Sequence, residues 1–595
     1  MYPYKAPLRD IQFVSQELFD FQTHFKLLPS LPELNWETAF SIVDEYSRFC
    51  ADVVAPLYRV GDTKGCLWDK GMVKTPPGFK EAYARYVSGG WPTLNHPVEF
   101  GGQGLPFSLG IILAEILTSS NFSWSTYPGL SSGAAKTILH HGSDDIKNTY
   151  LPSLVTGKWT GTMCLTESHC GSDLGLLRTK AKSNDDGSYS ITGSKIFITC
   201  GEHDMSENII HIVLARLPDA PGGTKGISLF LVPKMLVGAD GSITERNSVH
   251  CGSIEHKMGL GGSATCTMNF ENAKGYLIGQ PNRGLAAMFT FMNSARLGAS
   301  IQGLAHSELG FQQSLNYSLE RLQGRSLSGD SNADAIADQI IVHPDVRRML
   351  LTQKAFSEGH RMLAYYCAKL VDQVSNGSDI EKEQLLGFMT PIAKAFMTET
   401  GFESANLAVQ CFGGHGYIRE WGVEQNLRDC RISTLYEGTT GMQSLDLIGR
   451  KVLGSGGASL RLFVSQIQQF CEAQSANSPI DGLVTTLASH AQEWMDLTSE
   501  ISDRVIDDVD EVGAVSVDYM MYSGYVTLAY FWALAAAKAI AAKSSPKAET
   551  SFYDSKIFTA RFYYDRILPR TRGHIEIMRS GASNLMEITP EAMAF

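Results

Sequence analysis

The stretch YSITGSKIFIT, residues 189–199, is short, rich in β-branched and aromatic residues, and bounded by turn-forming clusters. Such a segment reads as a strand rather than a helix. NIIHIVLARL (208–217), KGISLFLVPK (225–234) and SATCTMNFE (263–271) repeat the pattern, with Gly, Asp, Pro and Asn between them. Strands at this spacing predict an antiparallel β-barrel or sandwich over residues 159–280. No strand–long helix–strand alternation occurs there. The glycine tracts GGQGLP (101–106), GGHGYI (413–418) and GSGGAS (454–459) lack the full G-x-G-x-x-G spacing after a strand. A nicotinamide-binding fold is therefore not expected.

On either side the periodicity turns helical. LRDIQFVSQELFDF (8–21) and WETAFSIVDEYSRFCADVVAPLY (36–58) space apolar residues by three and four. Residues 1–158 are thus expected to form an N-terminal helical domain, with 1–35 an extension and the Gly- and Pro-dense 88–106 a loop. Residues 284–465 predict a bundle of long helices, one starting near Pro344 and another interrupted or kinked at Pro391. The polar segment CEAQSANSPID (471–481) reads as a linker before an extra helical domain, 482–595. Residues 520–537, MMYSGYVTLAYFWALAAA, carry no charge, but their Ser, Gly, Thr and three Tyr favour a helix buried in a bundle over a membrane span.

Composition narrows the function. At 595 residues the chain has material for several domains. A net charge of −12 without Lys/Arg runs argues against nucleic-acid partners, which need clustered cations. Eleven cysteines without a C-x-x-C pair signal neither zinc nor a redox dithiol, and no metal is expected. The His169–Cys170 and His250–Cys251 neighbours do not change that, since adjacent residues rarely ligate one ion well. The N-terminal residues do not resemble a signal peptide, so a reducing cytoplasm is the expected compartment, with membrane contact at most peripheral.

Four segments gather Gly, Ser and Thr beside apolar runs: MCLTESHCGSD (163–173), FITCGE (197–202), CFGGHGYIREW (411–421) and YEGTTG (436–441). Singly, each reads as a cap or turn. Jointly they suit a flavin or phosphate ligand: glycines admit close backbone approach, hydroxyls bond ring edges or phosphates, and apolar neighbours hold a planar ring. In this order the set resembles the acyl-CoA dehydrogenase family over nearly the whole chain, and in particular its long members of about 600 residues.

The resemblance implies FAD as cofactor. Met163, Cys164, Leu165 and Thr166 would contact the isoalloxazine ring, with Phe197, Ile198 and Thr199 on its far side. Ser172 would lie near flavin phosphate and the substrate's pantetheine arm. Arg321 and the segment Gln410, Cys411, Phe412, Gly413, Gly414 would reach the FAD of a partner subunit, which implies a homodimer. Gly438 would adjoin substrate and cofactor, and Thr439 the adenine half. Arg296 would approach the CoA end, although the family's acid three residues earlier is Asn293 here. Gly261 and Gly262 stand where relatives carry bulkier residues.

Glu437 would be the catalytic base, its pKa raised by burial against ring and acyl chain. It would remove the α-proton of an acyl-CoA while the β-hydrogen leaves as hydride to flavin N5. The flavin ribityl hydroxyl and the Glu437 N–H would polarise the thioester carbonyl. The product is a trans-2-enoyl-CoA, and an electron-transferring flavoprotein would take the electrons. The resemblance covers enzymes of straight-chain fatty acyl-CoA oxidation and of 3-methylmercaptopropionyl-CoA, which the motifs do not separate. Rival readings are an acyl-CoA oxidase, betrayed by peroxide, and a flavin-free CoA-binding scaffold, betrayed by a colourless protein.

Overall fold

The structure, a computed structural model, describes residues 2–28, 33–238, 240–329, 334–377, 379–474, 479–546 and 548–594. Part of the expected linker, 475–478, lies outside them. The chain packs as two compact units. One comprises Pro3–Lys5 and Ile42–Gly298, the other Met1–Tyr2, Ala6–Ser41 and Ala299–Phe595.

Among the described residues the β-containing unit holds eleven strands. They are β1 (Leu67–Asp69), β2 (Met72–Lys74), β3 (Trp159–Cys164), β4 (Lys180–Ser183), β5 (Tyr189–Thr199), β6 (Asn208–Ala215), β7 (Ser228–Pro233), β8 (Met235–Val237), β9 (Ile243–Arg246), β10 (Val249–Ile254) and β11 (Thr265–Ile278). Seven join in the order β3-β6-β7-β11-β5-β4, with β10 on the other edge of β11. All pairs are antiparallel except β3 with β6, which run parallel because a long connection carrying β4 and β5 separates them in sequence. β11 pairs first with β5 and β10, passes Asn272 at φ 56°, and ends against β7. One bent strand thereby serves both layers.

Every residue of β6 is buried. Ile210, Ile212 and Leu214 pack with Ala134, Ile138, Leu151, Leu154 and Phe291 of the covering helices, while Val213 and Ala215 enter the core with Phe230, Cys266 and Phe270. A strand covered on both faces reads as an unbroken apolar run, as NIIHIVLA does.

The other unit is helical. Its long elements are Gly284–Glu320 (from Ala299 onward), Pro344–Ser375, Ile380–Phe412, Asp481–Asp507 and Asp510–Lys543. Of the interruption or kink expected at Pro391, the interruption does not occur: Ile380–Phe412 is one helix of 33 residues that contains Pro391. The lost N–H removes one bond from a helix whose middle, from Phe388 to Thr398, is buried throughout, and packing outweighs that loss. Gly303 and Gly401 meet where two helices cross: a Cβ on Gly303 would lie 2.1 Å from the Met397 carbonyl oxygen. The apolar helix Asp510–Lys543 is long enough to span a bilayer by length and composition. It is instead enclosed by neighbours, with Tyr519, Phe531 and Trp532 buried and the Trp532 indole N–H donating to the Ala355 carbonyl at 3.2 Å.

Residues 6–41 belong to this unit. Phe13, Phe21 and Phe25 are fully buried, and the Asp10 carboxylate accepts from Arg361 and Lys556. Arg361 also donates to Glu308 at 2.9 Å.

Candidate active site

In the β-containing unit, two of the motif segments are tied together by one buried ion pair. Lys195, fully buried on β5, donates to the Leu165 carbonyl at 2.9 Å and to Glu167 Oε1 at 2.8 Å. Glu167 also accepts from the Thr179 hydroxyl at 2.6 Å, the Thr179 N–H at 3.0 Å and the Arg178 N–H at 2.7 Å. This one carboxylate thus closes the loop that carries Ser172 at both ends. Burial alone would raise its pKa; the Lys195 ammonium and these donors reverse that and hold it at about 2. Arg216 braces the loop's exit by donating to the carbonyls of Gly175 and Leu177. The Ile196 N–H completes the tie by donating to the Thr166 carbonyl at 2.9 Å.

Beyond Lys195 the register between β5 and β11 slips by one residue, and the bulge falls at Phe197. Phe197 has φ 58° and is 60% exposed, an unusual state for a bulky residue. Met163, Leu165, Thr166 and Thr199 are partly exposed, and Ser172 is exposed. Cys164 and Ile198 differ: their side chains are buried in the barrel core, so only their backbone is open to a ligand. Arg296 is partly buried near the Phe289 ring, and Asn293 is exposed.

Packing explains Gly261 and Gly262. A Cβ on Gly261 would sit 3.1 Å from the Gly61 oxygen, and one on Gly262 2.8 Å from Phe79 Cζ. The Gly262 carbonyl accepts from the Tyr127 hydroxyl at 3.0 Å. Glu167, His169 and Cys170 bring three ligand-type atoms within 4.8 Å of one another, but both Glu167 oxygens are already engaged as described.

In the helical unit, Glu437 lies on a left-handed turn, with φ 56° at Glu437 and 87° at Gly438. Its neighbour Tyr436 donates to Gln302 Oε1 at 2.7 Å; burial first, then the Glu437 charge, push that phenol above its ordinary pKa. The Glu437 carbonyl accepts from Gln443 Nε2 at 3.1 Å, and the Gly438 carbonyl from Lys394 Nζ at 2.6 Å. The Thr440 hydroxyl donates to Glu399, and the Thr439 side chain caps the next helix by accepting from the Met442 N–H at 3.2 Å. Sequence reasoning passed over Lys394 and Gln443. The signal for Lys394 was a lone cation in the apolar run TPIAKAF.

Gln410, Gly413, Gly414 and Arg321 are exposed, and nothing lies within 4 Å of a Cβ built on either glycine. Cys411 and Phe412 turn inward, Phe412 stacking on Tyr317 at 4.1 Å.

The comparisons agree with this architecture. Residues 37–158, 162–273 and 282–453 match in turn the N-terminal, middle and C-terminal domains of acyl-CoA dehydrogenase. Residues 463–589 match a domain described as acetyl-CoA dehydrogenase C-terminal like. The chain belongs to the acyl-CoA dehydrogenase family and is an enzyme acting on the CH–CH bond of acyl-CoA thioesters. It is 40% identical over 588 residues to the 3-methylmercaptopropionyl-CoA dehydrogenase of Ruegeria pomeroyi, covering 98% of this chain and 99% of that one. It is 32% identical to a broad-specificity linear acyl-CoA dehydrogenase of Mycobacterium tuberculosis, covering 94% and 95%. The crystal structure of an acyl-CoA dehydrogenase from Bacillus anthracis complexed with FAD shares the fold, with TM-score 0.73 at 18% identity over 95% of this chain and 91% of that one.

Proposed function

We propose that this enzyme oxidises straight-chain acyl-CoA thioesters to trans-2-enoyl-CoA, with Glu437 as the base that removes the α-proton. The observation that carries this is the backbone of Glu437. A non-glycine residue in the left-handed region, between a half-buried tyrosine and a glycine, is held against local preference. Strain of this kind is kept where a side chain has to be aimed.

FAD is the cofactor, and when bound it supplies the hydride acceptor for the β-hydrogen. Two features fit it. Phe197 is exposed on a bulge beside Thr166, and the Gly413–Gly414 backbone is open to close approach. Met163, Leu165, Thr166, Phe197 and Thr199 would hold the ring, with Cys164 and Ile198 contributing backbone alone. Ser172, on the loop pinned by Glu167, would meet phosphate or pantetheine. Arg321, Gln410, Gly413 and Gly414 would serve a partner subunit's FAD, with Cys411 and Phe412 anchoring that segment from inside. Gly438 and Thr439 would adjoin substrate and cofactor, and Arg296 the CoA end.

The Glu437 carboxylate takes the α-proton and its N–H supports the thioester oxygen as negative charge develops there. The substrate loses one proton to Glu437 and one hydride from Cβ, which balances the new double bond. Glu437→Gln should retain FAD and acyl-CoA binding while anaerobic flavin bleaching collapses. Bleaching at the wild-type rate would refute the assignment.

A second reading, 3-methylmercaptopropionyl-CoA as the preferred substrate, is favoured by the 40% identity to an enzyme of that name. Its thioether replaces one methylene of an unbranched five-atom chain, so both readings ask for a narrow linear pocket. Bleaching rates across a chain-length series that includes the methylthio thioester separate them. We further infer a homodimer that passes its electrons to an electron-transferring flavoprotein in the cytoplasm.

A further inference from the structure

We infer that Lys394 and Gln443 are positioning residues that clamp the two backbone carbonyls of the Glu437–Gly438 turn and so aim the base. The inference rests on the assignment of Glu437 above. Two consecutive left-handed residues are not a conformation that Glu adopts unaided. Each carbonyl of the turn is taken by a side chain from a different helix: Glu437 by Gln443 at 3.1 Å, and Gly438 by Lys394 at 2.6 Å. Both donors are buried, Lys394 at 0% and Gln443 at 1% exposure. The Lys394 bond is charge-assisted and short, the stronger class of hydrogen bond, and its donor comes from the interior of the long Ile380–Phe412 helix.

Gly438 carries the same message. A Cβ there would lie 2.4 Å from Gln443 Nε2, so the amide rests directly on the glycine and any side chain at 438 would expel it. Glycine at this position therefore serves the clamp as well as its own φ of 87°. Thr440, two residues on, donates to Glu399 on the helix that bears Lys394, which ties the following turn to the same support. Turning the Glu437–Gly438 peptide units would redirect both the carboxylate and the Glu437 N–H. Neither Lys394 nor Gln443 needs to touch substrate to affect the rate.

The test uses FAD-loaded full-length enzyme and single-turnover flavin bleaching with butyryl-CoA. Lys394→Met and Gln443→Leu keep side-chain bulk and remove the donors. Each should slow bleaching by about 10- to 100-fold, the cost of roughly an ångström of misalignment, with the apparent butyryl-CoA affinity, FAD content and thermal midpoint little changed. The double variant Lys394→Met/Gln443→Leu should lose less than the product of the two single losses, because both act on one turn. Bleaching at the wild-type rate in Gln443→Leu overturns the inference, as does a rate loss that tracks FAD loss or weakened affinity. Should Lys394→Met not fold, Gln443→Leu decides alone. Glu437→Gln in the same assay keeps the outcomes apart: if it bleaches normally, the base assignment fails, whereas an inert Glu437→Gln beside fully active clamp variants refutes the clamp alone.

Discussion

Replacing Lys195 by Met should be among the most damaging single changes in the β-containing unit, although Lys195 lies on none of the surfaces assigned to a ligand. Its ammonium is fully buried and bonds Glu167 at 2.8 Å and the Leu165 carbonyl at 2.9 Å. Methionine fits the space but leaves the Glu167 carboxylate buried without its counter-charge. Breaking a buried pair from one side costs about 3–5 kcal/mol. The three remaining donors from Arg178 and Thr179 offset part of this, and the orphaned Leu165 carbonyl adds about 1 kcal/mol back. For a unit of this size that is a fall in thermal midpoint of about 6–20 °C.

The sign of the pH dependence follows. In the wild type Glu167 is held at about 2, below its ordinary value, so its stabilising contribution is present above pH 4.5 and lost as pH falls toward 2. Without Lys195, burial raises that pKa, and acid relieves the variant by neutralising the stranded charge. The gap between wild type and variant should therefore start to narrow above pH 4.5, as the variant's stranded carboxylate protonates, and go on narrowing toward pH 2 as the wild type loses its own contribution. Calorimetry at pH 7 and pH 4 measures both effects, and Glu167→Gln/Lys195→Met should recover much of the loss. A Lys195→Met midpoint within about 2 °C of wild type at pH 7, or a double variant worse than the single, would refute the account of the pinned loop.

Two further outcomes follow from the helical unit. Gly303→Ala drives a Cβ to 2.1 Å from the Met397 oxygen and should cost about 3 kcal/mol in urea unfolding, since two backbones rather than side chains must separate. Asp10→Asn should cost about 3–5 kcal/mol at pH 7 by stripping Arg361 and Lys556 of a buried partner. Burial raises the Asp10 pKa, but Lys556 and then Arg361 bring it down to about 2, so the wild type loses this contribution between pH 3.8 and 2 and the variant's acid limb should be flatter there.

The sequence revealed those parts of the fold that are set locally. The YSITGSKIFIT strand and its neighbours declare themselves through β-branched content, and the long helices through apolar spacing. The parallel β3–β6 pair was not legible, because register between strands so far apart depends on packing that no window contains. The continuity of the helix through Pro391 was hidden for the same reason: tertiary burial overrode a local rule. At the site, Glu437 stood out by motif, but its support did not. Lys394 lies on a different helix from the turn it holds, and the Lys195–Glu167 tie spans two strand regions. Cys164 and Ile198 show the converse limit, since a motif names positions without saying whether side chain or backbone is offered.

The burial of Asp10 against Lys556 has a consequence for how the chain is made. Phe13 packs its ring 5.6 Å from that of Phe552, and Phe21 lies 6.3 Å from Tyr365, so these side chains wait during synthesis for partners that lie hundreds of residues further along the chain. At ordinary translation speeds that delay is roughly half a minute to two minutes. Residues 42–298 emerge during the interval, while the aromatic side chains of residues 6–41 still lack the partners that bury them. Vectorial synthesis therefore works against this topology, and a holding chaperone that grips this aromatic segment early should raise the yield of native enzyme more than one that acts after release.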